Sequence, residues 1–376
     1  MKEHKCDDNL SPRGALGLSK GRISRRDFLA TMIGAAGLLA GCRPAEPAIV
    51  TATPSSTPPD TPTPASTPTS APTPTSAAPT PGTSSKVVHT HHTGVWDGEE
   101  LAPAAIRQML DASITKLTGL DAAAAAWASL FDPGERIAIK VNAFRNSIIW
   151  TKVPLVMAVT ECLQEVGVPA EQIVIFDFHT SELETAGFSV NKDGSGVRCY
   201  GSDGEYAEEW EVAGRTTRMS NVLLDCDALI NIPVLKSHML AGISFAMKNH
   251  YGTIPHPAEF HRGPSLRRGM AELNALPPIK DRTRLIIGDV LTACLRYNSR
   301  FPYWEADYTG DSILMSFDPV AHDTVGLQLY SDLLVADGGD PGLATSQATP
   351  WLESGAELGL GINHPDGIDQ VEVNLG

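Results

Sequence analysis

Between residues 236 and 268 the chain gathers Lys236, His238, Lys248, Asn249, His250, His256, His261, Arg262, Arg267 and Arg268, with Glu259 as the single acid. That stretch carries a net +4 within a chain of formal net charge −15 at pH 7. A local reversal of sign this large fits attraction of an anion. Lysine offers a point charge, and arginine a planar fork for carboxylate or phosphate. Histidine offers a proton donor or acceptor near neutral pH. The plainer alternative is a solvated basic face that pairs with neighbouring acids. His256 and His261 fall in a proline-rich loop without metal-ligand spacing, so no metal ligands are assigned. The chain holds no HExxH, Walker A, GxSxG or GxGxxG motif.

The elements around these residues alternate. Apolar runs at 137–143, 173–178, 228–235, 285–290 and 313–317 read as buried strands. Helical patterns lie between and around them, at 103–117, 154–166, 243–250, 266–276 and 320–334. Pro154 suits a first helical turn and Gly167 suits the end of the same helix. Near-continuous apolar strands with helical crossovers predict an α/β fold: a mostly parallel sheet with helices on both faces, in three layers. In such sheets ligands bind beyond the carboxyl ends of the strands. Lys140 and Asn142 stand at the first strand end, Asp177 and His179 at the second, and Lys236 and His238 at the third. Asp289 ends the fourth run and Asp318 follows the fifth. Asp177 and Asp318 also suit a simpler role as helix caps.

Three segments in order, Ile137-Ala138-Ile139-Lys140-Val141-Asn142, Asn231-Ile232-Pro233-Val234-Leu235-Lys236-Ser237-His238 and Met247-Lys248-Asn249-His250-Tyr251-Gly252, resemble successive signatures of the domain-of-unknown-function 362 family. Ile287-Gly288-Asp289 and Ser316-Phe317-Asp318-Pro319-Val320-Ala321-His322-Asp323 resemble that family's closing motifs. The resemblance covers most of residues 86–376. It implies functional roles for Lys140, Asn142, Lys236, His238, Lys248, Asn249, Gly252, Asp289, Asp318 and Asp323, but no defined activity. Some members carry ferredoxin-like cysteine runs. This chain has no Cys-x-x-Cys, so no iron–sulfur cluster is expected. Cys162, Cys199, Cys226 and Cys294 are widely spaced, and a disulfide among them stays open. Cys162 falls on the apolar face of its helix pattern and reads as a buried thiol.

The amino-terminal residues concern location. Ser24-Arg25-Arg26-Asp27-Phe28-Leu29 reads as a twin-arginine export signal, followed by an apolar run to Ala40. That run is about a dozen residues, against the roughly 20 of a spanning helix. Leu39-Ala40-Gly41-Cys42 reads as a lipoprotein cleavage box, which makes Cys42 the lipidated first residue of the mature chain. Residues 1–42 are thus assigned as signal and 43–85 as a disordered Pro/Thr/Ser linker. Residues 86–376 are assigned as the α/β domain. Such a linker lacks the apolar surface to offset the entropy of ordering. In polyproline-II form it reaches about 130 Å from a membrane. Removing the signal's +3 leaves −18 on the mature chain, which argues against nucleic acid as a partner.

Together these features predict an extracytoplasmic protein, exported by the twin-arginine translocase and tethered to the bacterial membrane through lipid on Cys42. Its Lys/His/Asp pocket would take a small anionic ligand. Lys236, His238 and Asp289 are the catalytic candidates if turnover follows binding, with His238 as the proton-transfer group and Asp289 or Asp318 orienting it. Lys140, Asn142, Lys248, Asn249, Gly252, Asp318 and Asp323 are the ligand-binding candidates. Two other classes fit the same residues. One is an oxidoreductase loaded with a metal or redox cofactor before export; the cofactor itself is unknown. The other is a non-catalytic ligand-binding lipoprotein.

Overall fold

The computed structural model describes residues 84–376. The export signal with Arg25 and Arg26, the lipidation residue Cys42, and residues 43–83 of the linker lie outside the described residues. Ten strands form one sheet. In chain order they are β1 (Ser85–His92), β2 (Ile137–Lys140), β3 (Ile173–Phe176), β4 (Arg198–Cys199), β5 (Ala228–Asn231), β6 (Val234–His238), β7 (Gly242–Ser244), β8 (Thr283–Cys294), β9 (Tyr308–Ser316) and β10 (Ile368–Leu375). The spatial order is β10-β1-β9-β8-β5-β2-β3-β4, with β6 pairing to β8 and β7 to β6. Pairing is antiparallel where β9 meets β1 and β8 and where β6 meets β7; the other pairings are parallel.

Two apolar layers sandwich this sheet. Ile137, Ile139, Ile173, Ile175, Ile230, Ile287 and Met315 face one layer. It is completed by helices α1 (Pro103–Thr118), α2 (Ala123–Leu130) and α3 (Val153–Glu165). The alternate residues Ala138, Val174, Phe176, Leu229 and Leu314 face the other. That layer packs on α4 (Ala246–Asn249), α5 (Pro264–Ala275), α6 (Pro319–Ala336) and α7 (Gly342–Glu357). Both faces are thus covered, as the apolar strand runs require. Local signals act as expected at α3: Pro154 lies in its first turn, and Gly167 follows it at φ 97°.

Two expected elements change. The run 228–235 breaks at Pro233, which has no N–H for a ladder. Its first half pairs with β2 and β8, and its second realigns as β6. The helical pattern at 243–250 splits into β7 and the single turn α4, followed by a 3-10 turn at His250–Thr253. The split is set by Asp323, whose carboxylate accepts the N–H groups of Ala246 and Met247 at 2.8 and 2.9 Å. Elements without a strong sequence signal are β1, β10, α7 and an exposed hairpin, Tyr206–Val212 with Arg215–Ser220. The four cysteines Cys162, Cys199, Cys226 and Cys294 are buried free thiols. Among the described residues no helix is long and apolar enough to cross a membrane.

Candidate functional site

A buried polar floor lies at the carboxyl ends of β2, β3 and β5. Lys140 is fully buried, and its Nζ donates to Asp177 Oδ1 at 2.6 Å and to the Val141 carbonyl at 2.7 Å. The other oxygen of Asp177 accepts the Ala143 N–H at 2.6 Å. A buried ion pair survives when its remaining hydrogen-bonding capacity is met in this way. Asn249 reaches the same floor: its Nδ2 donates to Asn231 Oδ1 at 2.7 Å, and Asn231 Nδ2 donates to the Ala246 carbonyl at 2.9 Å. Gly252 closes over the ion pair. A Cβ there would lie 2.6 Å from Asp177 Oδ1 and 2.8 Å from Lys140 Nζ, so only glycine fits. The floor therefore fixes α4, and with it Lys248.

Above it the cations converge. Lys236 Nζ donates to Asn142 Oδ1 at 2.5 Å, and Asn142 Nδ2 donates to Asn249 Oδ1 at 3.1 Å. Lys236 Nζ also sits 6.0 Å from the Trp304 ring, which is anchored by its indole N–H to the Ser237 carbonyl at 2.7 Å. His238 stacks on the same indole, with ring centroids 6.0 Å apart, and lies 5.4 Å from His261. His261 meets Tyr251 edge-on at 4.9 Å, and Lys248 Nζ lies 5.1 Å over the Tyr251 ring. Lys236, His238, Tyr251 and Trp304 are buried, whereas Asn142, Lys248 and His261 are half-buried and form the open side.

Burial and mutual repulsion set the protonation states. Desolvation lowers Lys236 to about 8. Desolvation, then the charge on Lys236, lowers Lys248 to about 7. Desolvation and the two lysines hold His238 well below its usual value, and desolvation with Lys248 takes His261 to about 3. Both imidazoles are therefore neutral at pH 7. His238 Nδ1 accepts the N–H groups of Leu240 and Ala241 at 3.2 and 3.1 Å, which leaves the proton on Nε2. His261 Nδ1 lies 2.8 Å from the Pro257 carbonyl and must donate to it, which leaves Nε2 as an acceptor. The cluster thus offers one ammonium, one lysine poised between amine and ammonium, one imidazole N–H donor and one imidazole lone pair.

Other predicted site residues have different partners. Asp289 is fully buried, and its two oxygens accept the N–H groups of Lys152 at 2.7 Å and Leu291 at 3.0 Å. Burial raises it to about 6. It therefore does not orient His238, whose Nδ1 is held by backbone amides. Asp318 caps α6, accepting from Val320 and Ala321 N–H at 2.8 Å each, and it also binds the Ile362 N–H and the Ser85 hydroxyl. Asp323 holds α4. Its Oδ1 also lies 3.0 Å from His322 Nδ1. Lys140 serves the floor rather than the open side. These four residues hold backbone elements because each was placed by the fold where amide groups or a countercharge needed a partner. Five participants fall outside the predicted set: Asp177, Asn231, Tyr251, His261 and Trp304, of which Asn231 and Tyr251 lie within the family-like segments. Asp177 was visible as a strand end, and His261 within the basic stretch. Trp304 carried no signal, since a single aromatic residue in a loop is usually packing.

The fold and this cluster define an α/β protein with lysines and histidines gathered at the carboxyl edge of its sheet. The chain belongs to the family described as Domain of unknown function (DUF362), whose model matches residues 137–328. That span holds the floor and every residue of the cluster. No functionally curated protein matches the chain in sequence. Similar solved structures include the lactate racemase apoprotein from Thermoanaerobacterium thermosaccharolyticum, at TM-score 0.38 and 13% identity, covering 65% of this chain and 57% of that one. A structural-genomics target from Thermotoga maritima matches at TM-score 0.33 and 12% identity, covering 70% of this chain and 60% of that one. The chain therefore spans about three fifths of the length of these structures.

Proposed function

We propose that this protein is exported through the twin-arginine translocase, tethered outside the cell membrane by lipid on Cys42, and binds a small organic anion between Lys236 and Lys248. Arg25-Arg26 and the Leu39–Cys42 box support the location. The observation that carries the binding reading is a charge imbalance. Among the described residues, neither lysine has a carboxylate partner: Lys236 donates to the neutral Asn142, and Lys248 lies over the Tyr251 ring. Two cationic groups brought together without an acid are repaid by an anion that takes both. In this reading Lys236 holds the anion, His238 Nε2–H adds a directed donor, and Lys248 is the proton-transfer group. A base works best with a pKa near the working pH, which Lys248 meets and His238 does not.

Calorimetric titration with phosphate, oxalate, malonate and succinate tests this. Binding should fall at least tenfold in Lys236→Met and in Lys248→Met. Equal binding by both variants would sink the pocket. Proton exchange at the carbon next to the carboxylate, followed by NMR in deuterated water, then separates a catalyst from a binder. Exchange abolished by Lys248→Met supports catalysis, whereas binding without exchange leaves a ligand-capture lipoprotein.

A further inference from the structure

A second cluster lies at the other end of the sheet, on β1, β9 and β10. His89 and His91 are two residues apart on β1, so both side chains point to one face. Glu372 on the edge strand β10 stands directly opposite His89 in the parallel register. Three ligand-type atoms meet there. His91 Nε2 lies 3.3 Å from His89 Nδ1, and Glu372 Oε2 lies 3.2 Å from His89 Nδ1 and 3.5 Å from His91 Nε2. Behind them, Asp311 Oδ1 lies 3.0 Å from His91 Nδ1.

We propose that His89, His91 and Glu372 form a zinc site, with Asp311 as the outer carboxylate that orients His91. Ligands about 2.0–2.1 Å from a tetrahedral zinc stand about 3.3–3.4 Å apart, close to all three separations here. An octahedral ion at the same bond length needs edges of about 2.9 Å, which fits less well. The tautomers agree. His91 Nδ1–H donates to Asp311 Oδ1, which turns the Nε2 lone pair toward the cluster, the usual outer arrangement of a zinc histidine. Binding through Nδ1 leaves the buried Nε2–H of His89 without an acceptor, so the outer carboxylate serves His91 alone. His89 is itself buried, His91 is half-buried and Glu372 is exposed, so three protein ligands leave a fourth position for water. Three strand spacings separate β1 from β6, about 14 Å, so this centre is distinct from the lysine pocket. Its effect would be to clip β10 to β1, joining the last strand of the domain to its first.

The test uses untagged full-length protein dialysed against a chelator and titrated with Zn2+ alone. One zinc per chain should be retained in native mass spectrometry. Glu372→Gln should weaken binding at least tenfold, Asp311→Asn ten- to a hundredfold, and His91→Ala at least a hundredfold. Cobalt added in place of zinc should give the strong visible bands of a four-coordinate ion, and these should be absent from His91→Ala. Glu372 is exposed, so Glu372→Gln stays informative even if the histidine variant misfolds. Failure of the wild type to retain zinc overturns the proposal. So does unchanged affinity in both Glu372→Gln and His91→Ala, since the metal would then lie elsewhere.

Discussion

Replacing Lys248 by methionine should stabilise the ligand-free protein at neutral pH, and the gain should vanish in alkali. An unfolded lysine titrates near 10.5, whereas folded Lys248 titrates at about 7. Above pH 10.5 both states hold a neutral amine, and the residue contributes nothing. As pH falls from 10.5 the unfolded chain takes up the proton first, so stability falls with pH until the folded site protonates near 7. Below that the penalty is constant. At about 1.4 kcal/mol per pH unit the ceiling is about 5 kcal/mol. Lys248 is half-buried and shares its repulsion with Lys236, so about 2–3 kcal/mol is expected. Urea unfolding of wild type and Lys248→Met at pH 6.5, 8.0 and 9.5 measures this, the difference between the two cancelling other titrations. The variant should be the more stable at pH 6.5, and the two should converge by about 2 kcal/mol at pH 9.5. A bound anion should narrow the gap at pH 6.5, because at a hundred times its wild-type dissociation constant it adds about 2.7 kcal/mol to the wild type and about 1.4 kcal/mol to a variant that binds tenfold more weakly. A difference that does not change with pH, or a variant less stable at pH 6.5, would show that Lys248 is a satisfied structural cation.

Gly252→Ala should cost at least about 2 kcal/mol in urea unfolding, because its Cβ would press on the Asp177–Lys140 pair. A loss below about 0.5 kcal/mol would mean that the floor is soft. Asp318→Ala should cost about 3 kcal/mol, since it removes a helix cap and leaves the Ile362 N–H without its acceptor. Asp318→Asn should recover part of that loss, with little effect on anion affinity; a matching loss of affinity would return Asp318 to the pocket. Changing Arg25 and Arg26 together to lysine should leave precursor in the cytoplasm in fractionation, and Cys42→Ser should abolish lipid labelling. Normal export of the double-lysine protein would remove the twin-arginine assignment.

The α/β architecture was legible because a strand covered on both faces must be apolar throughout. Ile137–Ile139, Ile173–Phe176 and Leu285–Ile287 satisfy that requirement in the sequence itself. The outer strands were harder to see. In β10 the run Ile368-Asp369-Gln370-Val371-Glu372 is half polar, because an edge strand buries less. Apolarity runs unbroken through 228–235 and does not register where Pro233 interrupts the ladder.

The sequence by itself determined which residues are ionisable, which segments are buried, and the order in which they meet the carboxyl edge of the sheet. Lys236, His238 and Lys248 were available from that order alone. Only the tertiary structure decided what each polar residue does there. Asp289, Asp318 and Asp323 are spent on backbone amides that the fold leaves without partners. His238 is held neutral by burial and by two N–H groups from its own turn. Trp304 and His261 complete the cluster across loops, and Glu372 meets His89 across 283 residues of chain. Residue type fixes what a side chain is able to donate or accept. Its protonation state and partner depend on dielectric and distance, which exist only once the chain has folded.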